Sequence, residues 1–143
     1  MFAKVVVGAD DSETAAEAVR SAMDLAKRFE SELHIVTAYK PKAARAAADK
    51  VPDEFRFSLL TNPADVLLTE LASRAKEYGL DPTVHASTAS PAEAIVQVAT
   101  DEGADLIVVG NKGMHGSHRV LGSVPNSVAH HAPCAVLIVA TTH

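Results

Sequence analysis

The stretch from Leu106 to Val139, "LIVVGNKGMHGSHRVLGSVPNSVAHHAPCAVLIV", begins and ends on a short β-branched apolar run, with glycines and a helix-like segment between them. Runs that are apolar along their whole length are expected of strands covered by helices on both sheet faces. A strand, a loop, a helix and another strand in succession imply parallel pairing through a right-handed crossover. The same signature recurs upstream as "KVVVG" at Lys4 to Gly8 and "LHIVTAY" at Leu33 to Tyr39, with a weaker version, "TVHAS", at Thr83 to Ser87. Helical periodicity fills the gaps, most clearly where Ala15, Ala18, Val19, Ala22, Leu25, Ala26 and Phe29 share one stripe.

Helix boundaries are signalled too. Asn62-Pro63 offers an N-cap followed by proline at the first helical position, and Ser90-Pro91-Ala92-Glu93 adds a capping-box glutamate. Tyr78-Gly79 and Glu102-Gly103 read as C-terminal stops. The order is β-α-β-α-β-α-β-α-β, an α/β chain expected to form one domain over residues 1–143. Lys40 to Leu60, alanine-rich and charged without a clean period, fits least well and reads as a surface excursion that carries no chemistry.

Hydrophobic residues make up 48% of the chain, enough for a single core, and the formal charge of -5 with scattered basic residues argues against nucleic acid or an anionic membrane as partner. The N-terminal "MFAKVVVGAD" has too short an apolar run for a signal peptide, and no stretch approaches the roughly 20 apolar residues of a membrane span. The lone Cys134 permits no internal disulfide and reads as a small buried residue beside a strand. A cytoplasmic location is the expectation.

Glycines at 110, 113 and 116 directly follow a strand, where an open parallel sheet binds its ligands. Glycine lets backbone N–H groups approach an anion, and a helix N-terminus beyond adds partial positive charge, so phosphate is the natural ligand. The G-x-x-G-x-x-G spacing matches neither the P-loop nor the dinucleotide fingerprint, and no G-x-S-x-G elbow is present. An ordinary glycine-rich turn explains the composition equally well.

Three segments, "GADDSETAAEA" after the first strand, "GNKG" at Gly110 to Gly113 and "LGSVPNSVAHHAPCAVLIV" at Leu121 to Val139, together resemble the universal stress proteins over essentially the whole chain. The family's adenine-nucleotide pattern places nine residues between its second glycine and a Gly-Ser or Gly-Thr pair, and here eight separate Gly113 from Gly122-Ser123. The resemblance implies a three-layer sandwich: a five-stranded parallel sheet in the order 3-2-1-4-5, helices on both faces, often a homodimer through the last strand. It further implies that Gly110 and Gly113 approach the ribose and phosphates of ATP or another adenine nucleotide. Gly122, Ser123 and Val124 would present N–H groups and a hydroxyl to the phosphates. Asp10 would face the ribose or a bound metal, Ala38 the adenine edge, and Ala9 the same wall. The shorter arch would favour a mono- or cyclic phosphate, and Pro125 removes one backbone donor.

Lys112 and Arg119 offer charge to phosphate from within the loop, or point into water. His115 and His118 share H-x-x-H spacing and His130-His131 are adjacent, but no Cys or carboxylate cluster accompanies them; solvated loop and helix-end histidines are the preferred reading, and magnesium would enter with nucleotide phosphates. Asp11 or Ser12 suits a helix cap, and Ser117 beside His118 lacks an orienting third group. The expected function is a nucleotide-binding stress sensor or regulator. The alternatives are cyclic-AMP binding, a ligand-free scaffold acting through protein partners, and slow ATP hydrolysis.

Overall fold

The structure, a computed structural model, describes residues 1–10, 12–40, 63–111 and 120–140. Five strands, β1 (Lys4–Gly8), β2 (Glu32–Ala38), β3 (Thr83–Ser87), β4 (Leu106–Asn111) and β5 (Ala135–Ala140), alternate with helices. Those helices are α1 (Glu13–Phe29), α2 (Pro63–Glu77), α3 (Pro91–Glu102) and α4 (Ser123–His131). All strand pairs are parallel, in the order β3-β2-β1-β4-β5. The expected order 3-2-1-4-5 and its helix-covered faces are what the chain forms.

Alternation along β1 divides the core. Val5 and Val7 join Leu33, Ile35, Leu106 and Val108 beneath α1 and α2, while Val6 joins Val36, Ile107 and Val109 beneath α3 and α4. Each residue of the central "VVV" is therefore buried, on one face or the other. The stripe of α1 is buried through Ala15, Ala18, Val19, Ala22 and Ala26, with Met23 as a further buried member. Phe29, expected in that stripe, instead ends the helix at the surface, 45% exposed, with its ring edge-on to Phe2. The helix has run past the sheet edge by then, so its last apolar residue meets the N-terminal segment.

Ser12 caps α1 by accepting from the Ala15 N–H at 3.1 Å, as one of the two candidates for that role. Ser90 occupies the N-cap of α3, but its side chain makes no capping bond; Pro91 behind it contributes by pre-setting φ, not by a capping box. Gly79 (φ 84°) and Gly103 (φ 68°) take the left-handed conformation that ends α2 and α3. Asp11, Asn62 and the expected excursion from Lys40 to Leu60 lie outside the described residues, apart from Lys40 itself. Cys134 is half-buried against the α3/α4 core rather than fully buried, and burial with the charge of Asp105 pushes its thiol pKa up. No helix among the described residues is long and apolar enough to cross a membrane.

At the amino edge of the sheet, Asp105 accepts N–H bonds from Ala3 (2.8 Å) and Lys4 (3.0 Å), tying the start of β4 to the start of β1. Nearby, His34 on β2 is almost fully buried and hydrogen-bonded at both ring nitrogens, Nδ1 to His85 Nε2 at 2.9 Å and Nε2 to Glu32 Oε1 at 3.0 Å. Burial first, and then the neighbouring His34, hold the His85 pKa below 6.5 against the opposing pull of Glu102. The unfolded chain therefore takes up the His85 proton before the folded one, so stability falls as pH drops below 6.5 towards the lower folded value. With His34, Glu32, Glu102 and Lys4 unchanged around it, His85→Gln should flatten this part of the Tm-against-pH curve; an equally steep fall in the variant would refute the assignment.

Candidate functional site

Beyond the carboxyl end of β1, the chain turns to one side of the sheet into α1 while β4 continues on the other. This divergence leaves a cleft of about 360 Å³. Its wall is apolar, built from Ala9, Val36, Ala38, Ile95 and Val109, and its rim carries Asp10, Ser12, Ser123 and the N-terminus of α4. Gly8 faces α3 so closely that an added Cβ would sit 2.4 Å from Ile95 Cδ1, which places Ile95 against the end of β1.

The backbone of β2 opens toward this cleft. The Ala9 N–H donates to the Val36 carbonyl at 2.8 Å, and the Tyr39 N–H donates to Ser87 on β3. Alternation along the strand therefore turns Ala38 to the β1 side. The β1 ladder ends at Gly8↔Val36, so among the described residues Ala38 has no partner there in register, and its backbone donor and acceptor turn to the cleft. Asp10 is exposed, and its Oδ1 accepts from the Ser12 N–H at 2.7 Å, which steadies the turn into α1.

Asn111 organises the other wall. It is 4% exposed; its Nδ2 donates to the Val120 carbonyl at 3.0 Å and its Oδ1 accepts from the Gly122 N–H at 2.8 Å. One side chain thus spans the base of the loop and holds the entry to α4 beside the end of β4. This differs from the expectation that Gly122 offers its N–H to a phosphate, because that donor is already engaged. An added Cβ on Gly122 would lie 3.1 Å from the same Asn111 oxygen. Gly110 lines the cleft, yet its missing Cβ also serves packing: a methyl there would lie 2.6 Å from the Thr14 carbonyl oxygen of α1.

With Gly122 as N-cap of α4, the first-turn N–H groups of Ser123 and Val124 have no partner among the described residues, and Pro125, third in the helix and buried, has no N–H to give. Ala9, Asp10, Ala38, Gly110, Gly122, Ser123 and Val124 thus all line one cleft. Lys112, Gly113, His115, Gly116, Ser117, His118 and Arg119 lie outside the described residues. His130 and His131 end α4 at the surface, His131 Nδ1 bonding the Ser127 carbonyl at 2.9 Å.

Sequence reasoning passed over Asn111 and Thr14. The only signal for Asn111 was its place between Gly110 and Lys112, and nothing local marked it as a clamp. It also passed over the one grouping of potential metal ligands among the described residues, His34, His85 and Glu102, at the opposite edge of the sheet.

The chain matches the universal stress protein family over residues 1–140. It is 38% identical to the universal stress protein Rv1636 of Mycobacterium tuberculosis over 144 aligned positions, covering 99% of this chain and 98% of the relative. A solved universal stress protein in complex with cAMP is 35% identical with a TM-score of 0.75, covering 99% of this chain and 98% of that one. The Archaeoglobus fulgidus universal stress protein, solved in complex with dAMP, shares the fold at a TM-score of 0.69 and 21% identity, covering 96% and 98% of the two chains.

Asn111→Ala removes two bonds at the loop base, one to the carbonyl of exposed Val120 and one from the half-buried Gly122 N–H, for an expected loss of about 1–3 kcal/mol at roughly 0.5–1.5 kcal/mol per bond. A chemical-denaturation midpoint equal to that of the parent protein would show that the clamp contributes nothing.

Proposed function

Because this chain belongs to the universal stress protein family, we propose that it binds an adenine nucleotide in the cleft at the carboxyl edge of the sheet and acts as a stress-response sensor or regulator. The observation that carries this reading is the pairing of two unlike walls. The N–H groups of Ser123 and Val124, without a partner among the described residues, open onto a cleft whose other side is apolar and ends in the backbone edge of Ala38. A flat heteroaromatic base with a donor and an acceptor on one edge suits the slot beside Ala9 and Ala38. An anionic group suits the helix N-terminus, where backbone donors and the helix dipole both favour negative charge.

In this reading the second carboxylate oxygen of Asp10 takes a ribose hydroxyl. Ser123 adds its hydroxyl to the phosphate donors, and Gly110 and Gly122 keep the backbone close. Gly113, Lys112 and Arg119 belong to the same proposal by their place in the sequence. Magnesium, if bound, enters with a polyphosphate and not through a cluster of protein ligands. No residue is assigned a catalytic role.

Gly122 is engaged by Asn111 and Pro125 lacks a donor, so the described first turn of α4 offers two N–H groups, a number suited to a single phosphate. This, together with the cAMP held by the 35% identical relative, favours AMP or its cyclic form over the triphosphate. We also propose that β5, whose outer edge is unpaired among the described residues and whose Leu137 is 39% exposed, pairs with a second copy. Sedimentation showing a monomer at every concentration overturns that part.

Thermal shifts against cyclic AMP, AMP, ADP and ATP, with and without magnesium, test the binding. A ligand of the folded state alone stabilises by about 2.7 kcal/mol at 100 times its Kd. Ser123→Pro sharpens the experiment. Proline is tolerated at the first helical position, and Gly122, at φ -64° and ψ 167°, already has the extended conformation a residue before proline needs. The variant should keep its ligand-free Tm and lose roughly tenfold or more in affinity, the worth of a hydrogen bond to a charged group. No shift with any nucleotide would refute the proposal.

A further inference from the structure

A second constellation lies at the amino edge of the sheet, far along β2 and α3 from the cleft. His34 is the third residue of β2, His85 the third of the edge strand β3, and Glu102 the last of α3. One ligand atom from each falls within 4.8 Å of the others, and β2–β3 register holds the two histidines on neighbouring strands, with His34 opposite Thr83 and Val36 opposite His85. The nucleotide reading uses none of these residues. We propose that His34, His85 and Glu102 form a binding site for a divalent transition-metal ion of the zinc class.

The donor set is the first argument. Two imidazoles and a carboxylate suit zinc, and three protein ligands leave a fourth position for water. The tautomer is the second. The Glu32 carboxylate can only accept at His34 Nε2, so that nitrogen carries the proton and Nδ1 presents its lone pair toward His85. A carboxylate behind a histidine is the arrangement that orients a metal-ligating imidazole and raises its basicity.

Two adjustments are required. In the hydrogen-bonded state the facing nitrogens are 2.9 Å apart, whereas tetrahedral coordination at about 2.0–2.1 Å separates two nitrogens by roughly 3.3 Å and needs their lone pairs to converge. His34 is locked between its neighbours, so His85 must turn, and its Nε2, the donor to His34 Nδ1 in the hydrogen-bonded state, must leave the ring's proton on Nδ1 in order to ligate. It is only half-buried on an edge strand, and Glu102, also half-buried at a helix end, closes from the other side. Lys4 donates to the Glu102 carbonyl at 3.0 Å and stands 4.0 Å from Glu32, the carboxylate behind His34 rather than the proposed ligand.

The test is isothermal titration of chelator-treated, dialysed full-length protein with Zn²⁺ at pH 7, repeated on His85→Ala, Glu102→Gln and the double variant His115→Ala/His118→Ala. One tight equivalent is expected in the parent protein and in the His115/His118 variant, since the proposed site does not include those two histidines. It should weaken by roughly tenfold or more in each of the first two variants, a loss typical of disturbing a metal site. His85→Ala and Glu102→Gln must retain the parent circular dichroism for the loss to count, and Glu102, at a helix end, decides the matter if the His85 variant does not fold. Zn²⁺ should also shift the His34 and His85 ring nitrogen resonances of the parent protein. No tight equivalent, or one that survives both His85→Ala and Glu102→Gln, overturns the proposal and leaves the pair as a hydrogen bond of the core.

Discussion

Everything in this molecule is arranged around β1, a strand of five residues paired on both sides. Only one of its partners is consecutive in the chain: β2 follows it through α1, whereas β4 comes from the other half of the chain. Connections from β1 therefore leave toward one side, while those from β4 leave toward the other, and neither covers the carboxyl end of the central pair. A cleft there follows from topology, as in other open parallel sheets. Because both faces of β1 are covered, Val5, Val6 and Val7 have no exposed surface, and a polar substitution at any of them would place an unpartnered group between the sheet and a helix.

The cleft is built chiefly from backbone. Ala9, Ala38 and Gly110 contribute small side chains or none, so main-chain groups of β2 and the first turn of α4 define the polar features of its walls. A site of this kind depends on the positions of chain segments, which explains the importance of Asn111. Its amide bonds both Val120 and Gly122 and so fixes where α4 begins relative to the end of β4. Two glycines are constrained from opposite faces of the sheet. Gly110 has no Cβ because the Thr14 carbonyl occupies that space, and Gly8 has none because Ile95 does. Glycine in this chain thus serves close packing of strand ends against helices as much as the approach of a ligand.

The two edges of the sheet differ in chemistry for a related reason. At the carboxyl edge helices begin, and their unpaired N–H groups favour anions; at the amino edge helices end, and their carbonyls and basic or imidazole groups gather there. Lys4 bonding the last carbonyl of α3 is one instance, and the His34, His85 and Glu102 cluster occupies the same layer. β2 and α3 run between the two edges, with Ala38 and Ile95 at the cleft and His34 and Glu102 at the far end.

Much of this architecture was legible locally. The apolar runs, helix period and terminal glycines marked the described strands and helices, since a strand buried on both faces and a helix buried on one leave different periods in the residues themselves. The two histidines in β2 and β3 were equally visible as letters, but nothing in their spacing of 51 positions announced a contact, which exists only through strand register. The same holds for Asn111 and Gly122, eleven positions apart, and for Gly110 beneath Thr14. Periodicity and capping are short-range consequences of backbone geometry, so the sequence by itself determined the elements and their order along the chain, while the resemblance to a family supplied the residues expected at the cleft. Which donor is engaged, which glycine is filled by a neighbour and which histidines meet depend on contacts between segments distant in the chain, and only the packed tertiary structure decided them.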